Sequence, residues 1–273
     1  MWATTVIEGK DQMSVPQLSQ WFSRHERNPA ARVTLFCLPF AGGGATAYHS
    51  WNRLFPPEVE VCPVRLPGRE SRHNEQADLC PASIAGVLAE RIDLPFAVYG
   101  HSMGARVGFE VLRSLRDLGT AAPLRFYAAA SPPPDVDDTF AMCAELPDEA
   151  FLEALIQMTG APKNLRDVPE LREFFLPLLR HDFRWCQDYR YEAGLPLATT
   201  VVALAGRSDA TATPDVMAGW SRHGNEFRMV TFAGGHFFLK TAEPELTKLL
   251  AQDLLGALAE RGPSGNPAPS AAR

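Results

Sequence analysis

Three residues of this chain, Ser102, Asp209 and His236, are of the types that together make an activated oxygen nucleophile. A serine hydroxyl is a weak nucleophile near neutral pH, so it needs an imidazole to take its proton. The imidazole in turn needs a carboxylate to hold its tautomer and stabilise its charged form. Ser102 stands in Gly100-His101-Ser102-Met103-Gly104, after the apolar run Phe96 to Tyr99 and before residues of helical character. Glycines on both sides permit a sharp strand-to-helix turn that exposes the hydroxyl and turns the next backbone N–H into the same space. Gly-x-Ser-x-Gly alone also describes an ordinary glycine-lined turn. Its strand-like and helix-like neighbours are what favour a nucleophile.

Among seven histidines, His236 is the preferred base, because it follows Gly234-Gly235 just past a strand-like run. His101 is locked beside the turn and is expected to point differently from Ser102. His25, His49, His73, His181 and His223 have no carboxylate that the sequence assigns to them. Asp209, shortly after Gly206, is the chosen acid, with Asp215 in reserve. Pro214 suggests that Asp215 lies in the first turn of a helix, where an aspartate often serves only the helix dipole. Negative charge on an attacked carbonyl oxygen would be held by two backbone N–H groups. One is that of Met103, and the other comes from the loop after the first strand, at Ala41.

The elements that must position these groups alternate. Strand-like runs cover Arg32 to Leu38, Val59 to Leu66, Phe96 to Tyr99, Leu124 to Ala130, Thr199 to Ala205 and Phe227 to Phe232. Helical patterns fall at Ala45 to Phe55, Pro81 to Ile92, Met103 to Leu118, Pro214 to Trp220 and Leu246 to Leu258, and Leu18, Trp21 and Phe22 could form a short stripe ahead of them. Such alternation predicts an α/β chain with a mostly parallel central sheet flanked by helices, whose ligand site lies beyond the strands' carboxyl ends. Ser102, Asp209 and His236 all stand at that edge, in the chain order Ser, Asp, His of an α/β-hydrolase.

Between about Asp135 and Leu195 the alternation stops, and two helical stretches, Glu149 to Met158 and Leu171 to Tyr189, take its place. Residues 135–195 thus read as a helical lid inserted in a domain spanning 21–261, with flexible termini at 1–20 and 262–273. The aromatic and aliphatic residues of the second helix, among them Phe174, Phe175 and Leu178, suit either plain core packing or the inner face of a cap. Arg69 and Arg72, in the turn after the second strand, suit either solvated ion pairs or a role at a substrate entrance.

With 273 residues, 46% hydrophobic, and a formal charge of -6, the chain can build one sizeable core, and nothing in it recommends nucleic acid as a partner. The five cysteines, Cys37, Cys62, Cys80, Cys143 and Cys186, contain no Cys-x-x-Cys pair, so neither a metal site nor a redox pair is expected. Cys37 and Cys62 read as core thiols. No signal-like or membrane-spanning run is present, which points to a cytoplasmic protein away from the membrane.

Several motifs together resemble the stand-alone type II thioesterases of nonribosomal peptide and polyketide synthesis. They are Leu38-Pro39-Phe40-Ala41-Gly42-Gly43 with Trp51, Leu66-Pro67-Gly68-Arg69-Glu70 with Arg72, and Gly100-His101-Ser102-Met103-Gly104-Ala105 with Phe109 and Glu110. Gly206 with Asp209, Trp220, and Gly234-Gly235-His236-Phe237-Phe238 complete the set, so the likeness runs from about Trp21 to Leu258. Gly44, where a serine is common, and a plain acid loop are slight departures. The resemblance implies an α/β-hydrolase with a helical lid and an editing activity that removes misprimed or stalled acyl groups from the phosphopantetheine arm of carrier proteins. It implies Ser102 as nucleophile, His236 as base, Asp209 as acid, Ala41 and Met103 as oxyanion donors, and no cofactor; a monomer is the expected state. The residues alone say serine hydrolase, and leave open a carboxylesterase, an acyltransferase or a non-catalytic binder on the same fold.

Overall fold

The computed structural model describes residues 15–22, 27–137 and 141–261. Its six strands are β1 (Val33–Leu38), β2 (Val59–Pro63), β3 (Phe96–His101), β4 (Arg125–Ala129), β5 (Leu197–Gly206) and β6 (Gly224–Phe232). They form one sheet in the order β2-β1-β3-β4-β5-β6, and every neighbouring pair is parallel. The helices before the insert are α1 (Val15–Trp21), α2 (Trp51–Leu54), α3 (Pro81–Ala89) and α4 (Met103–Asp117). The insert between β4 and β5 holds α5 (Asp148–Thr159), α6 (Asn164–Asp167) and α7 (Pro169–Asp188). After β5 come α8 (Pro214–Met217), α9 (Phe238–Thr241) and α10 (Glu243–Glu260).

Parallel strands need crossovers, and the crossover helices bury both faces of the sheet. In β1, Val33, Leu35 and Cys37 join Tyr48, Trp51 and the Leu246, Leu250 and Leu254 stripe of α10. Phe36 and Leu38 point the other way, into a core shared with Ile84 and Leu88 of α3 and Val107, Val111 and Leu115 of α4. This is why the strands read as nearly unbroken apolar runs. Cys37 and Cys62 are buried in these cores, as expected of core thiols, and burial drives both away from the thiolate, Cys62 to about 12.

The strand order also places the site. From β1 the chain moves outward to β2, then returns past β1 to β3 and continues to β6. Connections therefore leave the carboxyl ends of β1 and β3 in opposite directions, which opens a crevice between them. The loop after β1 carries Ala41, and the turn after β3 carries Ser102.

The insert has a small core of its own, made by Phe151, Leu152, Leu155, Leu179 and Phe183, with Ala41 packed against it. Three expected elements differ in detail. The helix expected over Ala45 to Phe55 is broken into a 3₁₀ turn (Ala45–Tyr48) and the single turn of α2, because the Glu70 carboxylate takes the Thr46 N–H at 2.7 Å and the Tyr48 and Trp51 rings both pack inward. The run Val59 to Leu66 splits after Pro63, where Val64 still gives its N–H to the Cys37 carbonyl of β1 at 2.9 Å but also bridges antiparallel to Phe22. The helix expected over Pro214 to Trp220 tightens after Met217 into a 3₁₀ turn. Of the termini expected to be flexible, residues 1–14 and 262–273 lie outside the described residues, whereas 15–20 belong to α1. No helix among the described residues is long and apolar enough to cross a membrane.

Candidate active site

Ser102 caps the start of α4 with φ +54° and ψ −121°, a conformation that side-chain-bearing residues rarely adopt. The surrounding backbone enforces it. A Cβ on Gly100 would lie 2.1 Å from the Gly104 carbonyl oxygen, and a Cβ on Gly104 would lie 2.3 Å from that of Leu38 and 2.7 Å from that of Pro39. No side chain fits at either position, because the atoms met are backbone and cannot turn aside. The same closeness presses the first turn of α4 against the chain leading into Ala41. Met103 is the first residue of α4, so its N–H has no intrahelical acceptor and remains free for a ligand.

The structure brings His236 and Asp209 to this turn. His236 Nε2 lies 3.0 Å from Ser102 Oγ, and Nδ1 lies 2.9 Å from Asp209 Oδ2. An ionised carboxylate only accepts, so Nδ1 carries the proton and Nε2 presents its lone pair to the serine hydroxyl. The other oxygen, Oδ1, accepts from the Thr211 N–H at 2.9 Å, the Thr211 hydroxyl at 2.8 Å and the Ala212 N–H at 3.1 Å. Burial alone would raise the Asp209 pKa, but the hydrogen bond and charge of His236, with the two N–H groups, hold it well below the usual carboxylate range. Asp215 lies in the first turn of α8, whose cap is Thr213 accepting from the Val216 N–H, and the His236 ring bonds to Ser102, Asp209 and Thr211 instead. Sequence reading missed Thr211, whose oxygen also lies 3.1 Å from His236 Nδ1.

The thioesterase domain family matches residues 33–253. The chain belongs to the thioesterase family. It is 34% identical over 257 residues to the gramicidin S biosynthesis protein GrsT of Aneurinibacillus migulanus, covering 90% of this chain and 98% of that one. It superposes with a TM-score of 0.77 on the RedJ thioesterase from the prodiginine pathway of Streptomyces coelicolor, at 29% identity over 83% of this chain and 92% of the other. With the type II thioesterase BorB from the borrelidin biosynthetic cluster the TM-score is 0.76, at 32% identity over 86% and 97%. The fold is that of the α/β-hydrolase thioesterases.

Two groups around the site of this thioesterase do work that the sequence did not announce. His101 is fully buried in β3 and donates from Nε2 to the His236 carbonyl at 2.9 Å, while the Tyr99 hydroxyl donates to its Nδ1 at 3.1 Å. Burial first, and then the nearby His236, push its pKa down to about 3, so it is a neutral strut under the His236 backbone. Arg69 and Arg72, left open between solvated pairs and an entrance role, are both buried. Arg72 pairs with Glu75 at 2.6 Å and lies 3.9 Å over the Trp21 ring, tying α1 down, whereas Arg69 turns inward to Asp182 of α7. Among the clefts beside the inserted helices, one of about 730 Å³ is lined by Phe40, Gly43, Phe174, Phe175 and Leu178, and another of about 550 Å³ by Met142, Cys143, Ala154, Met158 and Thr211.

Proposed function

We propose that this thioesterase hydrolyses acyl thioesters on the phosphopantetheine arm of carrier proteins, as an editing enzyme that clears misprimed or stalled acyl groups. The observation that carries the chemistry is the chain Ser102–His236–Asp209, with links of 3.0 and 2.9 Å, brought together from just past the carboxyl ends of β3, β6 and β5. His236 Nε2 takes the Ser102 proton as Oγ attacks the thioester carbonyl, and the N–H groups of Ala41 and Met103 hold the oxyanion. The carbon–sulfur bond breaks, and the imidazolium returns its proton to the leaving pantetheine sulfur. Water, deprotonated by the same Nε2, then attacks acyl-Ser102, the bond from the acyl carbon to Oγ breaks, and the imidazolium returns the proton to Oγ as the free acid leaves. Asp209 stays ionised throughout and steadies the imidazolium. These steps draw on no metal or diffusible cofactor.

The thioester and the carrier are supported by relatives named for gramicidin S, prodiginine and borrelidin biosynthesis. Helices α5 to α7, inside the span 135–195, act as the lid in this reading, over a hydrolase domain spanning 21–261. The enzyme works as a cytoplasmic monomer. Mass spectrometry of a panel of acylated carrier proteins, incubated with enzyme or with Ser102→Ala, tests it. Loss of the acyl mass in the wild-type arm alone is the expected result. Carriers left acylated while matched simple esters are turned over would make it a carboxylesterase, and acyl transfer to an added alcohol or amine would make it an acyltransferase.

A further inference from the structure

The loop after β1 has no secondary structure to hold it, yet it must present one of the two oxyanion donors. What holds it comes from the insert. Asp182 of α7 is completely buried and Arg69 is 3% exposed. They meet through two parallel bonds, Arg69 Nη2 to Asp182 Oδ1 at 2.9 Å and Nη1 to Oδ2 at 3.1 Å. Asp182 Oδ2 also accepts the Gly42 N–H at 2.7 Å, and Arg69 Nη1 also donates to the Gly43 carbonyl at 2.9 Å. The loop is thus gripped by a donor and an acceptor directly after Ala41, inside a turn that Gly43 N–H closes onto the Phe40 carbonyl at 2.8 Å. Gly42 has φ +72°, and a Cβ there would come within 2.5 Å of Leu179 Cδ2, so α7 lies flat on the loop.

A buried ion pair contributes little net stability over apolar residues of the same volume. Here Asp182 Oδ2 and Arg69 Nη1 both reach the backbone of the loop after β1, while Arg69 Nε donates to the Pro67 carbonyl of its own turn at 3.2 Å, which fixes the guanidinium in place. We propose that Arg69 and Asp182 are positioning residues for the oxyanion hole, through which helix α7 sets the place of the Ala41 N–H. The lid of the proposed function is then part of the catalytic frame as well as a cover, because a displaced α7 takes the clamp with it. A shift of about 1 Å in a group that meets the transition state is worth roughly 10²-fold in rate. The inference rests on the assignment of Ala41 as a donor and is independent of the carrier protein.

The test uses a small acyl thioester of N-acetylcysteamine, or an activated ester, so that failure on carrier proteins would strike only the proposed substrate. Asp182→Asn keeps the shape and removes the charge. Its kcat per active site should fall ~10²-fold while KM stays within about threefold and the pH–rate midpoint stays in place, because base and binding are untouched. An exchanged pair, Arg69→Asp with Asp182→Arg, restores opposite charges but turns a guanidinium toward the Gly42 N–H and a carboxylate toward the Gly43 carbonyl. It should recover thermal stability relative to Asp182→Ala without recovering kcat. Recovery of kcat to within about threefold of wild type in the exchanged pair would show a structural pair only. If that variant does not fold, Asp182→Asn decides alone, and a kcat per active site within about threefold of wild type overturns the proposal.

Discussion

Replacing Asp209 by Asn exchanges one carboxylate oxygen for an NH2, and the contacts decide which. At Oδ1 the NH2 would face three donors, the Thr211 N–H, the Thr211 hydroxyl and the Ala212 N–H. At Oδ2 it would face one, the His236 Nδ1–H. At about 1 kcal/mol per hydrogen bond, the first arrangement is worse by about 2 kcal/mol, a preference of roughly 30-fold for the second. The amide nitrogen therefore faces His236, and the imidazole responds by moving its proton from Nδ1 to Nε2. Nε2 then has no lone pair for the Ser102 hydroxyl, and the negative charge that steadied the imidazolium is also gone. Hydrolysis of an acyl thioester should fall ~10²–10⁴-fold with the fold intact, measured as initial rates with thermal unfolding in parallel. Asp215→Asn, whose residue does not touch His236, should cost less than about tenfold. An Asp209→Asn enzyme that kept a tenth of its rate, or an Asp215→Asn enzyme that lost more, would refute this reasoning.

Gly104→Ala should destabilise by about 3 kcal/mol, the upper end of overpacking costs, because its Cβ would meet the Leu38 and Pro39 carbonyl oxygens. Unfolding in urea reads that cost, and a loss under about 1 kcal/mol would show that the close approach can relax. His101, held neutral with a pKa of about 3 against an ordinary 6.5, contributes stability that is complete above pH 6.5 and is lost progressively as pH falls toward 3. Over that window the contribution is on the order of 5 kcal/mol. His101→Gln should flatten the acid side of the stability–pH curve, and an unchanged slope would count against the assignment. Substitutions at Phe175 or Leu178, which line the larger cleft, should move the acyl length hydrolysed fastest by ~10-fold per methylene or two in kcat/KM. A wild-type profile in every folded variant would reduce the insert to scaffold.

The positions of Ser102, Asp209 and His236 at one edge of a sheet were legible because each stands just past a strand, and a parallel sheet carries all its strand ends to one side. The elements themselves were legible for a related reason. Strands buried on both faces read as apolar runs, and helices that cover them read as stripes. The boundaries of Ala45 to Phe55 and Val59 to Leu66 were not, since the Glu70 carboxylate and Phe22, both distant in the chain, decide where those elements break.

Asp182 shows where such reading stops. In sequence it is one carboxylate on a helix rich in apolar residues, 113 positions from the arginine it binds. Nothing in helical periodicity separates it from a solvated charge, and nothing in Pro67-Gly68-Arg69 says that the guanidinium turns inward. A catalytic side chain at a strand end is located by topology, which local pattern encodes. A loop's shape is set by whichever side chains reach its backbone, and these come from elements whose packing the pattern does not encode. His101 follows the same rule, because what it holds at the site is the backbone of His236, 135 positions away, and not a side chain whose type could be noticed. The groups that perform the proposed chemistry therefore stand out in the sequence, while those that hold its geometry, Arg69, Asp182 and His101, become visible only once the loops are folded against them.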